Sequence, residues 1–198
     1  VCLNTAIDTI IYQYSGAVVG ATVINLPAGV NFNIQSDSIV IFGAGLTTGL
    51  INYTVIAYGG TCPNDSASGT ITVNSAPTLT LDVVGTDNQL LCFNDSIMDI
   101  TYTVGGSATG AVVVGLPLGI TGSFTPNVFT ITGTASAPGV YNYTVYTTGS
   151  PCGVDSLSGA ITVEQAPVLT LITAPATTTQ QVCLNTAIDT IIYQYSGA

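Results

Sequence analysis

The sequence predicts an all-β chain of tandem sandwich domains forming a rod, and three observations carry that prediction. Thr, Val, Ile and Tyr dominate the composition, with 22 Gly and 9 Pro as punctuation, which is the chemistry of strands and turns rather than helices. No stretch sustains a 3.6-residue apolar period. The chain also repeats itself, approximately at a spacing of 90 residues and letter for letter at 181, and self-similarity at a fixed period marks a modular array.

The shorter period runs almost without gaps. Cys2 falls on Cys92, Leu26-Pro27 on Leu116-Pro117, Gly29 on Gly119, and Asn52-Tyr53-Thr54-Val55 on Asn142-Tyr143-Thr144-Val145. Cys62 meets Cys152, Asp65 meets Asp155, and Ile71-Thr72-Val73 meets Ile161-Thr162-Val163. In the longer period, residues 182–198 reproduce residues 1–17. The unit is therefore a cassette of two diverged halves. Residues 1–75 read as one domain whose first strand lies outside the window, 76–165 as a complete domain, and 166–198 as the start of the next.

In the complete copy the expected strands are Thr78–Val84, Leu90–Phe93, Ile97–Val104, Ala111–Leu116, Val128–Gly133, Gly139–Thr147 and Leu157–Val163. Turn sequence separates them, including Gly85-Thr86-Asp87-Asn88, Gly105-Gly106-Ser107, Pro117-Leu118-Gly119 and Ala137-Pro138-Gly139. Tyr141, Tyr143 and Val145 alternate with Asn142 and Thr144, the two-residue period of a half-buried strand. Core and cross-strand packing is accordingly the reading for these tyrosines and for Tyr12, Tyr14 and Tyr53. Leu-Pro-Ala-Gly and Leu-Pro-Leu-Gly read as turns between strands. Ser75-Ala76-Pro77 and Gln165-Ala166-Pro167 form short connectors stiffened by proline.

What the chain lacks narrows its function. It contains no Lys, Arg or His, and its ten acidic residues give a net charge of −10. A basic footprint for nucleic acid is absent. Without His there is neither an imidazole base nor an imidazole metal ligand, and without Lys or Arg there is no Schiff base or cationic phosphate clamp. A carboxylate pair remains the one formal route to catalysis, but Glu164 is the only Glu and the Asp residues are scattered through turns. No catalytic residue and no resident cofactor are expected. Asp87, Asp95 and Asp99 offer hard oxygen donors that could take Ca²⁺ near a junction, though no spaced ligand motif accompanies them. No apolar run approaches the roughly 18–20 residues of a membrane helix, and no signal peptide opens the chain.

Five cysteines, Cys2, Cys62, Cys92, Cys152 and Cys183, distribute as two per half with Cys183 opening the next unit. No Cys-x-x-Cys spacing suggests metal, so disulfides in an oxidising compartment follow. The default pairing is within a domain, Cys2 with Cys62 and Cys92 with Cys152. The alternative joins Cys2 to Cys152 across a junction, if the two cysteines of one half lie at opposite ends of the sandwich.

The segments Asn25-Leu26-Pro27-Ala28-Gly29-Val30 and Gly49-Leu50-Ile51-Asn52-Tyr53-Thr54-Val55, with Gly115-Leu116-Pro117-Leu118-Gly119-Ile120 and Ala137 through Val145 in the second copy, resemble the putative-Ig repeat pattern. The opening Val-Cys-Leu-Asn-Thr-Ala-Ile resembles repeats of giant Bacteroidota surface proteins, among them gliding-motility adhesins exported by type IX secretion. The resemblance covers the whole window and implies tandem immunoglobulin-like β-sandwiches at the cell surface. It implies a structural repeat segment of an extracellular filament or giant surface adhesin; the alternative is a glycan- or ligand-binding accessory module. Expected partners are neighbouring repeats, laterally associated rods, and surface glycans or solid surfaces.

Six of the nine Asp residues are followed by Ser or Thr and then an apolar or small residue. As local structure these are Asx-type turns before strands. They also resemble Asp-Ser/Thr-apolar O-glycosylation sites of Bacteroidota, which would place glycans on Thr9, Ser38, Ser66, Ser96, Ser156 and Thr190.

Overall fold

A computed structural model describes residues 1–197. The first half forms β1 (Ile10–Gln13), β2 (Val18–Ile24), β3 (Val30–Ile34), β4 (Ser38–Gly43), β5 (Gly49–Gly59) and β6 (Asp65–Val73). They make two antiparallel sheets, β1-β4-β3 and β2-β5-β6. The second half adds β7 (Thr78–Leu81), β8 (Asn88–Cys92), β9 (Ile100–Gly105), β10 (Gly110–Val114), β11 (Ile120–Thr125), β12 (Val128–Gly133), β13 (Gly139–Thr148) and β14 (Ser156–Glu164). Its sheets are β11-β12-β9-β7 and β10-β13-β14-β8, with β8 parallel to β14 and every other pair antiparallel. Then come β15 (Val168–Leu171), a 3₁₀ turn at Pro175–Thr178, and β16 (Tyr193–Ser196) paired antiparallel to β15.

Strand alternation builds the cores. Along β13, Tyr143, Val145 and Thr147 are buried while Asn142 and Tyr146 face out, as a pleated strand with one covered face requires. One cluster gathers Ile39, Ile41, Tyr53, Val55, Ile71 and Val73 with their neighbours. A second gathers Ile100, Tyr102, Phe129, Ile131, Tyr143, Val145 and Ile161 among others. The clusters share no residue, so each half buries its own apolar surface.

Two details depart from the expected strands. The first strand of the second half stops at Leu81 instead of continuing to Val84. The chain turns there, with the Thr86 hydroxyl donating to the Val83 carbonyl at 2.8 Å, and re-enters the opposite sheet as β8. The segment Ile120–Thr125, read as part of a turn region, is strand β11. Its Gly122 suggested a break, but a Cβ there would lie 2.5 Å from Phe129 Cζ and 2.7 Å from Val113 Cγ1. Close packing against a neighbouring ring, not a turn, calls for the glycine. The Leu-Pro-x-Gly segments are turns as read. Gly29 and Gly119 have φ of +83° and +91°, and a Cβ on either would strike a backbone carbonyl oxygen.

Candidate functional site: the junction between two sandwiches

Strand direction decides which cysteines can meet. Cys62 lies in the loop just before β6, whereas Cys2 bridges in parallel to Asn74, one residue beyond the end of β6. β6 has nine residues, and at ~3.3 Å per residue that is about 30 Å of strand. Cys2 and Cys62 therefore sit at opposite poles, far beyond the ~7 Å Cα separation that a disulfide spans. Cys92 and Cys152 repeat the arrangement, since Cys92 pairs with Glu164 at the end of β14 while Cys152 precedes its start. The default within-domain pairings are thus excluded by geometry. The bond that forms joins Cys2 to Cys152, across the junction, with the Cα atoms 5.5 Å apart. Cys62, Cys92 and Cys183 are exposed free thiols in this chain.

Hydrogen bonds support the staple. The Cys152 N–H donates to Ser150 Oγ at 3.0 Å, Ser150 and Ser107 hydroxyls meet at 2.8 Å, and Ser107 Oγ donates to the Ser75 carbonyl at 2.6 Å. Because Ser107 spends its proton on Ser75, the Ser150 hydroxyl donates to Ser107, and the relay has one direction. Next to it, Gly106 (φ +66°) lets the chain pass so close to the connector that a Cβ would lie 1.9 Å from the Ala76 carbonyl oxygen. The loop carrying Cys152, the connector and the turn after β9 are thereby held together.

Inside each sandwich a tyrosine pair crosses between sheets. Tyr12 and Tyr53 hydroxyls lie 3.0 Å apart, and Tyr102 and Tyr143 lie 3.1 Å apart. Tyr143 also donates to the Asp87 carbonyl at 3.1 Å. Burial, followed by the hydrogen bond and charge of Tyr12, pushes Tyr53 up to about 12. Burial likewise raises Tyr102 and Tyr143. Tyr14 donates to the Gln35 carbonyl at 2.5 Å, so these rings are structural and form no open aromatic strip. Tyr102 was not singled out in the sequence; its equivalence to Tyr12 under the 90-residue shift was the available signal.

The Asp-Ser/Thr positions behave as turns where their bonds are seen. Asp65 Oδ1 accepts from Ser66 N at 2.9 Å and Asp155 Oδ1 from Ser156 N at 2.8 Å. Thr9, Ser66, Ser96, Ser156 and Thr190 are exposed. Ser38 differs: it is 6% exposed and donates to Asp37 Oδ1 at 3.2 Å, so its hydroxyl is not presented to an enzyme. No group of three metal-ligating side chains assembles among the described residues, and Asp87, Asp95 and Asp99 do not converge on a Ca²⁺ site. Also among the described residues, no helix is long and apolar enough to cross a membrane.

No protein-family description and no curated protein matches the chain. Among solved structures it is similar to the I-band fragment I67-I69 from titin, with a TM-score of 0.65 and 15% identity over 84% of this chain and 62% of that one. It is also similar to the three-Ig structure of titin domains I67-I69 in an E-to-A mutated variant, at 0.66 and 16% over the same shares. The chain thus spans less than two thirds of either fragment. At such identity the likeness speaks for fold: these are tandem immunoglobulin-like sandwiches. The strand order agrees, and Tyr141, whose hydroxyl reaches back to the Ala137 and Pro138 carbonyls at 3.4 and 3.3 Å, is the tyrosine corner of that fold.

Proposed function

We propose that this chain is a load-bearing structural repeat of an extracellular filament or giant surface adhesin of the Bacteroidota type, delivered by type IX secretion and without catalysis. The Cys2–Cys152 bond is the observation that carries the reading. A disulfide closed between sandwiches does nothing to either core; it ties one module to the next, which matters in a rod under tension or shear. The letter-for-letter return of residues 1–17 at 182–198 supports a continuing array, and the proline-stiffened connectors support an extended one. A disulfide also favours an oxidising location outside the cytoplasm. Neighbouring repeats are then the principal partners, with lateral contacts between rods and attachment to glycans or solid surfaces following from exposure at the cell surface.

One sandwich of strands rising ~3.3 Å per residue, with its turns, spans ~35–40 Å. Micrographs of the native material should show thin filaments with an axial period of about twice that, one two-sandwich cassette. Globular particles with no axial period would overturn the proposal.

A further inference from the structure

The first sandwich carries an open groove of about 330 Å³ whose lining includes Tyr14, Ile39, Val55, Asp65 and, at its rim, Cys62. The second sandwich shows what belongs there. At the corresponding place β7 lies along β9, with Leu79 6% exposed in the core and its N–H donating to Asp155 Oδ2 at 2.7 Å. Asp65 is the counterpart of Asp155. Gly106 and Gly16 are likewise equivalent: Gly106 fits tightly beneath Ala76-Pro77, whereas a Cβ on Gly16 meets nothing within 4 Å. Gly159 packs under both Tyr143 and the Asp87 carbonyl, whereas Gly69 packs under Tyr53 alone. The first sandwich is thus shaped for a strand like β7 together with the chain around it.

The chain contains such a strand. Ala166-Pro167-Val168-Leu169-Thr170-Leu171 repeats Ala76-Pro77-Thr78-Leu79-Thr80-Leu81 with one substitution, and Leu169 is 67% exposed. Its present partner is informative. β16 reads Tyr193-Gln194-Tyr195-Ser196, identical to Tyr12-Gln13-Tyr14-Ser15 at the edge of the groove. In β15–β16, Leu169 faces Tyr195 and Leu171 faces Tyr193. In β7–β9, Leu79 faces Val104 and Leu81 faces Tyr102, the same register under the repeat. β15 is therefore already paired with a copy of the edge that the groove presents.

We propose that Val168–Leu171 of one copy of this chain seats in the groove of a second copy, and that Cys92 of the first then bonds Cys62 of the second. This rests on the array reading above. The bond copies the observed one: Cys92 sits beside Glu164 as Cys2 sits beside Asn74, with Phe93 N donating to the Glu164 carbonyl and Leu3 N to the Asn74 carbonyl, both at 2.8 Å. Cys62 occupies the same loop as Cys152. Cys183, as the Cys2 of the next unit, would join that unit's Cys152, so all five cysteines acquire one rule: each opening cysteine bonds the loop cysteine of the following sandwich. Two thiols lose two protons and two electrons, and a disulfide oxidant such as oxidised glutathione is reduced to two thiols.

Complementary variants of the full chain test this. One carries Cys62→Ser and the other Cys92→Ser, each oxidised with glutathione disulfide alone and then mixed. The mixture should yield a covalent heterodimer whose peptic digest contains a Cys92–Cys62 linked peptide, and neither variant alone should form it. Leu169→Asp in the Cys62→Ser copy should cut heterodimer yield at least about tenfold, since burying one Leu is worth ~1.5–3 kcal/mol. The same change in the Cys92→Ser copy should have no effect. A mixture that stays monomeric, dimers of like cysteines, or a Cys62–Cys92 bond within one wild-type monomer would overturn the linkage. Indifference to Leu169→Asp in the donor copy would overturn the strand docking. Filaments that keep their axial period while Cys92 alkylates freely would sink this inference and leave the structural role intact.

Discussion

The hydroxyls of Tyr102 and Tyr143 meet 3.1 Å apart between the two sheets of the second sandwich, on the strands where antibody domains carry their inter-sheet disulfide. Tyr143 passes its proton on to the Asp87 carbonyl, so Tyr102 donates to Tyr143 and the pair is fully used. The fold thereby frees its cysteines for the junction. Replacing Tyr143 with Phe leaves the ring and removes both bonds, stranding the buried Tyr102 hydroxyl. A loss of about 1–3 kcal/mol is expected, read as a lower urea midpoint at unchanged slope. A change of under a few tenths would show that the pair carries no stability.

Alkali should separate folded from unfolded chain through the same residues. Tyr53 is raised from 10.0 to about 12, with burial the largest cause, and Tyr143 is raised in the same direction. Below pH 10 these phenols are neutral in both states and their contribution is complete. From about pH 10 to 12 the unfolded chain ionises first, and the contribution is lost. The melting temperature should therefore decline across that window, with tyrosinate absorbance lagging free tyrosine, and Tyr53→Phe should flatten part of the decline. A melting temperature level to pH 12 would contradict the burial argument.

Much of this architecture is legible in the sequence because strand alternation and the repeat are local or periodic signals. Tyr141, Tyr143 and Val145 announce their pleat by spacing alone. β11 was missed because Gly122 signals a break locally, while its cause, Phe129 and Val113 pressing from adjacent strands, is tertiary. The disulfide was hidden for a related reason. Which pole holds Cys2 depends on its parallel bridge to Asn74, and no count of residues between cysteines reveals a parallel pairing. The repeat did keep the cross-junction alternative open.

Covalent decoration follows from exposure. Thr9, Ser66, Ser96, Ser156 and Thr190 stand at accessible turns or strand starts, and outward apolar residues at equivalent places, such as Leu50 and Val140, give a sugar coat a solubilising role. Native protein should exceed its polypeptide mass by several glycans, with peptide mapping placing them on those five residues and none on the buried Ser38. A native mass equal to the bare chain would end the idea.

Reduction should loosen the array without melting its modules. Neither core contains a cysteine, and the Cys2–Cys152 bond closes across sandwiches. Loss of a within-domain bond from a small secreted module typically costs ~2–5 kcal/mol. Here Cys152→Ser should cost no more than about 1 kcal/mol, a shift of roughly 4–8 °C. The larger effect should be geometric. Ser107 and Ser150 would retain their hydrogen bonds to the connector, but the two sandwiches would gain bending freedom, seen as a broader maximum dimension in small-angle scattering. Cooperative unfolding of either sandwich on reduction would show that the bond supports the cores after all; unchanged scattering would show that the connector and serine relay suffice to hold the junction.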